Sequence, residues 1–113
     1  MRLKKARQIL KTFADDTRLR IISLLKGNIL TVTDICVVLN KKQSNVSKHL
    51  TRLRLTGVVS DKRKGANVNY CLADQKDPSC KALLKAITNG LSDLEILQKD
   101  KETLTKLRKR RTR

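Results

Sequence analysis

The chain has 113 residues, enough for one compact domain and too few for two. Lysine and arginine number 27 against 10 acidic residues, so the formal net charge is +17 and the expected partners carry phosphate. No apolar run approaches the roughly 18 residues of a membrane span, and the first residues lack the apolar segment of a signal peptide. We therefore expect a cytoplasmic protein that does not contact a membrane.

The first forty residues carry the start and stop signals of three helices. Asp15 is a good N-cap for the second helix, which Gly27 ends. Thr31 and Asp34 form a capping-box-like start for a short third helix, with Asp in place of the preferred Glu. The first helix is amphipathic, because apolar residues recur every three or four positions at Leu3, Ala6, Leu10 and Phe13.

A fourth helix is predicted for QSNVSKHLTRLRLTG, residues 43–57, after a three-residue link. Four of its first five residues are amide or hydroxyl residues, which are mediocre helix formers because they compete for backbone hydrogen bonds. Gly57 is expected to end the helix. Four apolar side chains are expected to face inward, namely Val46, Leu50, Leu53 and Leu55.

The remaining sequence predicts a β-hairpin and one long helix. Val68, Tyr70 and Leu72 alternate with polar residues, which indicates two strands joined by a basic turn that contains glycine. Asp77 followed by proline begins the last helix, whose apolar stripe could continue to Leu107. The basic end KLRKRRTR is expected to fray, so we divide the chain into a domain at 1–105 and a tail at 106–113.

A short helix, a tight turn, a polar-fronted helix and a basic hairpin are typical of a winged helix-turn-helix. The predicted fold is mainly α with a small β-hairpin wing, in the order ααααββα. The major groove of DNA admits one helix, and amide and hydroxyl groups can meet its base edges. The predicted base-contacting residues are Gln43, Ser44, Asn45, Ser47 and Lys48. Predicted contacts to the DNA backbone, from the helix and the wing, are Lys41, Lys42, Arg52, Lys62, Arg63, Lys64 and Gly65.

Three segments resemble successive motifs of the arsenical- and metal-responsive repressors, the ArsR/SmtB family: LKTFADDTRLRIISLL, TVTDICVVLNKKQSNVSKHLTRLRLTGVV and DKRKGANVNYCL. The resemblance implies a homodimeric repressor that binds a palindromic operator in double-stranded DNA and releases it when an inducer binds. It also implies that the first and last helices form the dimer interface. The residues agree, because both terminal helices have apolar stripes without an evident partner in so small a domain.

The metal sites of the family are missing from this sequence. Arsenic-sensing members open the third helix with a CVC triplet, whereas this chain has Thr31-Val32-Thr33. Zinc-sensing members use Asp and His pairs on the last helix, but the single histidine is His49, interpreted as helix surface or a phosphate contact. We therefore predict no metal and no cofactor, and the sequence does not identify an inducer.

The cysteines suggest a different control input. They include no CxxC pair, and Cys36 shares an apolar face, where it is expected to act as a small core residue. Cys71 and Cys80 are nine residues apart across one connection. Our hypothesis is that these two thiols form a redox-responsive or soft-metal pair that repositions the wing; the alternative is that both are incidental.

Two other classes of function are considered beside the repressor. Surplus basic charge would also suit a sequence-tolerant architectural DNA-binding protein or an RNA-binding winged helix. The near absence of aromatic residues, 2% of the chain, disfavours base stacking on single strands or RNA. An enzyme is not predicted, because no nucleophile–base pair or phosphate-binding glycine loop occurs.

Overall fold

The computed structural model of the protein describes residues 1–112 and contains six helices and three short strands in that range. No helix in this range is both long and apolar enough to cross a membrane. In chain order the elements are α1 (Leu3–Phe13), α2 (Asp16–Leu25), β1 (Leu30–Thr31), α3 (Val32–Leu39), α4 (Gln43–Leu55), β2 (Val59–Lys64), β3 (Asn67–Leu72), α5 (Pro78–Gly90) and α6 (Glu95–Arg111).

The predicted helix starts are confirmed by their hydrogen bonds. The Asp15 carboxylate accepts from the N–H of Arg18 at 2.9 Å, and the Asp77 carboxylate accepts from that of Ser79 at 2.8 Å. Thr31 accepts from the N–H of Asp34 at 3.2 Å, which completes one half of the predicted capping box. Each bond satisfies a first-turn donor that has no partner within the helix.

The predicted hairpin is the larger part of a three-stranded antiparallel sheet. The strand order is β1-β3-β2, and the short strand β1, which was not predicted, pairs Leu30 with Tyr70. In the hairpin Val59 pairs with Leu72 at the base and Lys64 pairs with Asn67 near the turn. Gly65 in the turn has φ +61°, a left-handed conformation that glycine adopts without steric cost. The sheet thereby fixes the hairpin to the body of the domain at its base.

One aliphatic core holds α4 against α2, α3 and the base of the sheet. Val46, Leu50 and Leu53 are fully buried, as predicted from their spacing. Leu55 was expected to join them and does not, because its side chain is 76% exposed. It follows Leu53 by two residues, and a step of two residues rotates a side chain by about 200° around a helix. The inner face of α4 is therefore limited to the first three leucine and valine positions.

The prediction of a single last helix is wrong, because that helix is interrupted between α5 and α6. Helix α6 folds back along α2, and its carboxylate of Asp100 accepts hydrogen bonds from Arg20 Nε at 2.8 Å and Nη2 at 2.9 Å. Arg108 on α6 donates to Asn28 Oδ1 at 3.0 Å, beyond the end of α2. In each pair the residue of α6 comes 80 positions after its partner. The two contacts therefore advance in the same direction along the chain, so α6 runs parallel to α2. The fold back buries Leu97 and Leu104 within the protomer.

The last helix extends further into the basic end of the chain than the sequence suggested. Helix α6 continues to Arg111, so the expectation of a frayed end does not hold for residues 106–111. Arg111 Nη2 lies 2.6 Å from Asp34 Oδ1 at the start of α3. The two groups form an ion pair, but their geometry is not that of a hydrogen bond. Leu107 packs against the core, half-buried. Arg113, the last residue of the predicted tail, lies outside the described residues.

Candidate nucleic-acid interface

The front of α4 is an exposed polar surface on a buried apolar support. Gln43, Ser44, Asn45 and Lys48 are exposed and Ser47 is half-buried. The residue before the helix, Lys42, makes no side-chain cap, so it leaves first-turn N–H groups free for another acceptor. Weak helix formers are tolerated here because the three buried side chains behind them hold the helix in place.

Five of the predicted DNA-contacting residues meet in one shallow surface depression at the start of α4. They are Lys41, Lys42, Ser44, Asn45 and Lys48. Three ammonium groups therefore surround one hydroxyl and one amide. This arrangement combines charges for phosphate with neutral groups that can donate to or accept from a base edge.

The wing cations do not share one face. Lys62, Arg63 and Lys64 are all exposed, but Arg63 pairs with Val68, whereas Lys62 and Lys64 pair with asparagines of β3. Side chains alternate between the two faces of a strand. Arg63 therefore lies on the face that carries Val68, and the two lysines lie on the other. The phosphate backbone of one DNA strand would contact one of these two faces before the other.

Two arginines on the later turns of α4 differ in their availability. Arg54 Nη1 lies 3.5 Å from Asp61 Oδ2, so the one acid between Lys41 and Gly65 is paired with it. Arg52 is exposed on the same helix. Asp61 therefore partly offsets the charge of Arg54, and Arg52 is the better candidate of the two for contact with a backbone phosphate.

His49 joins α4 to the start of α2. Its Nδ1 lies 3.2 Å from Arg18 Nη1 and 3.7 Å from Asp15 Oδ2. Burial lowers the pKa of His49, and the positive charges of Arg18 and nearby lysines add to this effect, while Asp15 opposes it. The histidine is half-buried against α2, so the expectation of an exposed helix surface is wrong, while a phosphate contact stays a prediction.

In addition to the contact between Arg18 and His49, a second brace between helices holds the C-terminal end of α4. Lys5 on α1 donates from Nζ to the carbonyl oxygen of Thr56 at 2.9 Å. A cation at the C-terminus of a helix stabilises its unpaired carbonyl groups. No local sequence pattern indicates either contact, because Lys5 and Thr56 are 51 residues apart and Arg18 and His49 are 31 residues apart.

The cysteine pair proposed as a thiol sensor stays a prediction. All three cysteines are free thiols. Cys71 Sγ lies 3.2 Å from Ser60 Oγ on the neighbouring strand, whereas Cys80 is buried in the core with its Sγ 3.4 Å from Met1 Sδ. The two sulfurs therefore have separate partners. Within residues 1–112 there is also no group of three or more His, Cys, Asp or Glu residues suited to a metal ion.

This fold and the exposed front of α4 define a winged helix-turn-helix DNA-binding regulator. A family model described as "Bacterial regulatory protein, arsR family" matches residues 15–61. The transcriptional repressor SdpR of Bacillus subtilis is 36% identical over 87 residues, which cover 76% of this chain and 97% of SdpR. The chain belongs to the ArsR family of transcriptional regulators. This confirms the resemblance noted from the sequence and the expectation of a DNA-binding regulator rather than an enzyme.

Other relatives agree on the fold and differ in named activity. The structure of reduced HlyU from Vibrio cholerae superposes with a TM-score of 0.69 at 32% identity, covering 81% of this chain and 90% of that one. HlyU of that species is named a transcriptional activator. The arsenical resistance operon repressor of Escherichia coli is 40% identical over 67 residues, and the match spans 58% of this chain and 57% of that protein.

Proposed function

We propose that the protein binds a two-fold symmetric operator as a homodimer and represses transcription. The observation that carries the proposal is the front of α4, where exposed polar side chains stand on a fully buried apolar face. A helix of this kind fits the major groove with its N-terminal residues toward the base edges. Two-fold symmetry then requires half-sites separated by about one helical turn of DNA or a multiple of it.

The contacts divide into two groups by their chemistry. The amide and hydroxyl groups at the front of α4, together with the Lys48 ammonium group, read sequence, while the other cations around them contact phosphate in any sequence. The first group consists of Gln43, Ser44, Asn45, Ser47 and Lys48. The second group consists of Lys41, Lys42, Arg52, Lys62, Arg63, Lys64 and, through its backbone at the turn, Gly65.

The dimer surface in this proposal is formed by α1 and α5. Leu3 and Leu10 on α1 are 84% and 53% exposed, and an open apolar depression lies between Leu10 and the α5 residues Ala86 and Ile87. Leu97 and Leu104 of α6 are buried inside the protomer. The second copy therefore covers α1 and α5, the first part of the predicted last helix, rather than α6. A small aliphatic core also favours burial of this surface by a partner subunit.

Repression is favoured over activation because two sequence relatives that match over most of their length are named repressors. SdpR is named a repressor, and so is PagR of Bacillus anthracis, which is 35% identical with 88% of its length covered. HlyU shows that the same fold also serves an activator. We propose that the protein acts on the chromosome in the cytoplasm of a bacterium or archaeon.

Selection of bound sites from random duplex DNA tests the proposal directly. A repressor of this kind enriches one palindromic sequence and exceeds its affinity for random duplex by at least about a thousandfold at physiological salt. Light scattering of the complex should give two protomers for each site. Equal competition by operator and random duplex would instead identify a sequence-tolerant architectural protein.

A further inference from the structure

A cavity of about 370 Å³ opens between α5 and the base of the wing. Pockets for small molecules commonly measure roughly 300–1,000 Å³. Its walls come from four parts of the fold, namely α1, α2, the base of the hairpin and α5. The apolar wall residues are Phe13, Ile22, Val58, Leu72 and Leu84. A cavity of this size and lining suits the hydrocarbon part of a small ligand.

The rim of this cavity is positively charged. Lys26, Lys81 and Lys85 stand on it, against one acid, Asp74. Lys81 and Lys85 are four residues apart on α5 and both exposed, a spacing at which like charges repel. Within residues 1–112, neither has a carboxylate oxygen within 4.0 Å. An anion bound between them would relieve this repulsion.

We propose that the cavity binds a small amphipathic carboxylate. The apolar body of the ligand contacts the wall formed by Val58, Leu72 and Leu84, and its carboxylate contacts the ammonium groups of Lys81 and Lys85. Lys26 is already engaged, since its Nζ donates to Asn89 Oδ1. The two lysines of α5 therefore provide the anion contact, and the apolar wall determines the size of the ligand.

The cavity stays accessible in the dimer proposed above. Lys81 and Lys85 lie on one face of α5, and Ala86 and Gly90 of the apolar depression lie on the opposite face, because each residue advances about 100° around a helix. A second copy that covers the depression contacts the opposite side of α5. The two lysines of the cavity rim and the dimer surface therefore lie on different sides of α5, although Phe13 lines both depressions.

The position of the cavity connects it to DNA binding, an inference that rests on the proposed function. Val58 lies three residues after the end of α4, and its N–H donates to the carbonyl of Leu53 in the last turn of that helix at 2.9 Å. Leu72 ends β3 and pairs with Val59 at the base of the wing. A ligand between these residues and α5 contacts both the DNA-binding elements and the dimer helix. A ligand that binds the operator-free arrangement more tightly weakens operator binding.

An NMR titration of the full chain with octanoate tests the site, with 1-octanol as the uncharged control. We expect octanoate to shift the methyl signals of Val58, Leu72 and Leu84. The double variant Lys81→Met/Lys85→Met should bind octanoate at least tenfold more weakly and 1-octanol equally well. The matched variant Lys106→Met/Lys109→Met, which removes two exposed charges from α6, should bind octanoate like the parent. Equal octanoate affinity in all three proteins would overturn the site.

A second measurement separates the site from its regulatory effect. Octanoate should weaken operator binding at least tenfold in the parent and in the α6 variant, but not in the α5 variant. Leu84→Trp, which fills the cavity, should abolish the effect while thermal melting shows a folded chain. Octanoate binding without operator release would overturn the regulatory step. Failure to bind any operator without octanoate would instead refute the proposed function, and the titration would still decide the site.

Discussion

Arg18 Nη1 donates a hydrogen bond to Nδ1 of His49 at 3.2 Å, which connects α2 to the helix proposed to enter DNA. A guanidinium group can only donate, so Nδ1 must accept and His49 is neutral with its proton on Nε2. Arg18 also donates from Nε to the carbonyl of Thr12 at 2.8 Å, near the end of α1. One arginine thus joins three helices, and its bond to α4 requires an uncharged histidine.

The stability of the protein should fall in mild acid because of His49. Burial, Arg18 and nearby lysines lower its pKa below the ordinary value of 6.5. The unfolded chain then takes up the proton first as pH falls, so the free energy of unfolding is highest above about pH 6.5 and decreases below it. We expect the urea midpoint to decrease from about pH 7.5 to about pH 5.5. His49→Gln should flatten this profile, and an unchanged slope in that variant would contradict the assignment.

The buried ion pair between α2 and α6 should contribute strongly to stability. Asp100 is 3% exposed and accepts two hydrogen bonds from Arg20. Asp100→Ala leaves the guanidinium without its partner in a largely buried position, and we expect a loss of about 2–4 kcal/mol in the free energy of unfolding, measured by urea denaturation.

A matched control for that pair lies on the surface of α6. Glu95 and Lys99 form an ion pair at 3.5 Å, with both side chains more than half exposed. Glu95→Ala should cost no more than about 0.5 kcal/mol, because solvent screens exposed pairs. Similar losses for the Asp100 and Glu95 variants would show that burial does not determine the contribution of these pairs.

Local signals in the sequence were sufficient for the helix starts and the hairpin. Asp15, Thr31 and Asp77 could be recognised because a cap bonds to a backbone group only two or three residues away. The break between α5 and α6 follows from contacts 80 residues apart in the chain, which no local pattern contains. The two-residue strand β1 is likewise extended because it pairs with β3.

The residues proposed to contact DNA could be predicted from the sequence, whereas the contacts between helices that hold α4 in place could not. The front of α4 is visible in sequence because polar residues occupy positions where better helix formers would otherwise stand. The braces at Arg18 and Lys5 act across helices, so only the folded chain brings them to His49 and Thr56. Similarly, the contact between Arg111 and Asp34 joins segments far apart in the chain, although the segment around Arg111 reads as a run of charges.

Disrupting the apolar face of α1 should produce a monomer. Leu10→Lys places a charge at the centre of the proposed α1–α5 surface, where a second copy would have to bury it, so association becomes unfavourable. Light scattering should report a dimer for the parent and a monomer for the variant, with weaker operator binding. Ile29→Lys is the control, because Ile29 is 67% exposed outside this surface. A dimer that survives Leu10→Lys would exclude α1 as the interface.

Substitutions at the front of α4 and substitutions on the wing should have different effects on DNA binding. Gln43→Ala or Ser44→Ala removes a group proposed to contact a base edge, so operator affinity should fall by roughly 1–3 kcal/mol and base preference should change. Arg63→Ala or Lys64→Ala removes a charge, so all sequences should bind more weakly.

Salt titrations with operator and random duplex distinguish the two effects. Each lost phosphate contact should lower the slope of log affinity against log salt by about 0.9. The α4 variants should keep the parental slope and lose discrimination between the two duplexes. The wing variants should keep discrimination and lose slope, and since Arg63 and Lys64 lie on opposite faces of the hairpin, one should lose more than the other. Lys106→Ala on α6 is the control for a general loss of charge. If the α4 and wing variants behaved alike, the proposed separation between reading bases and holding phosphate would be wrong.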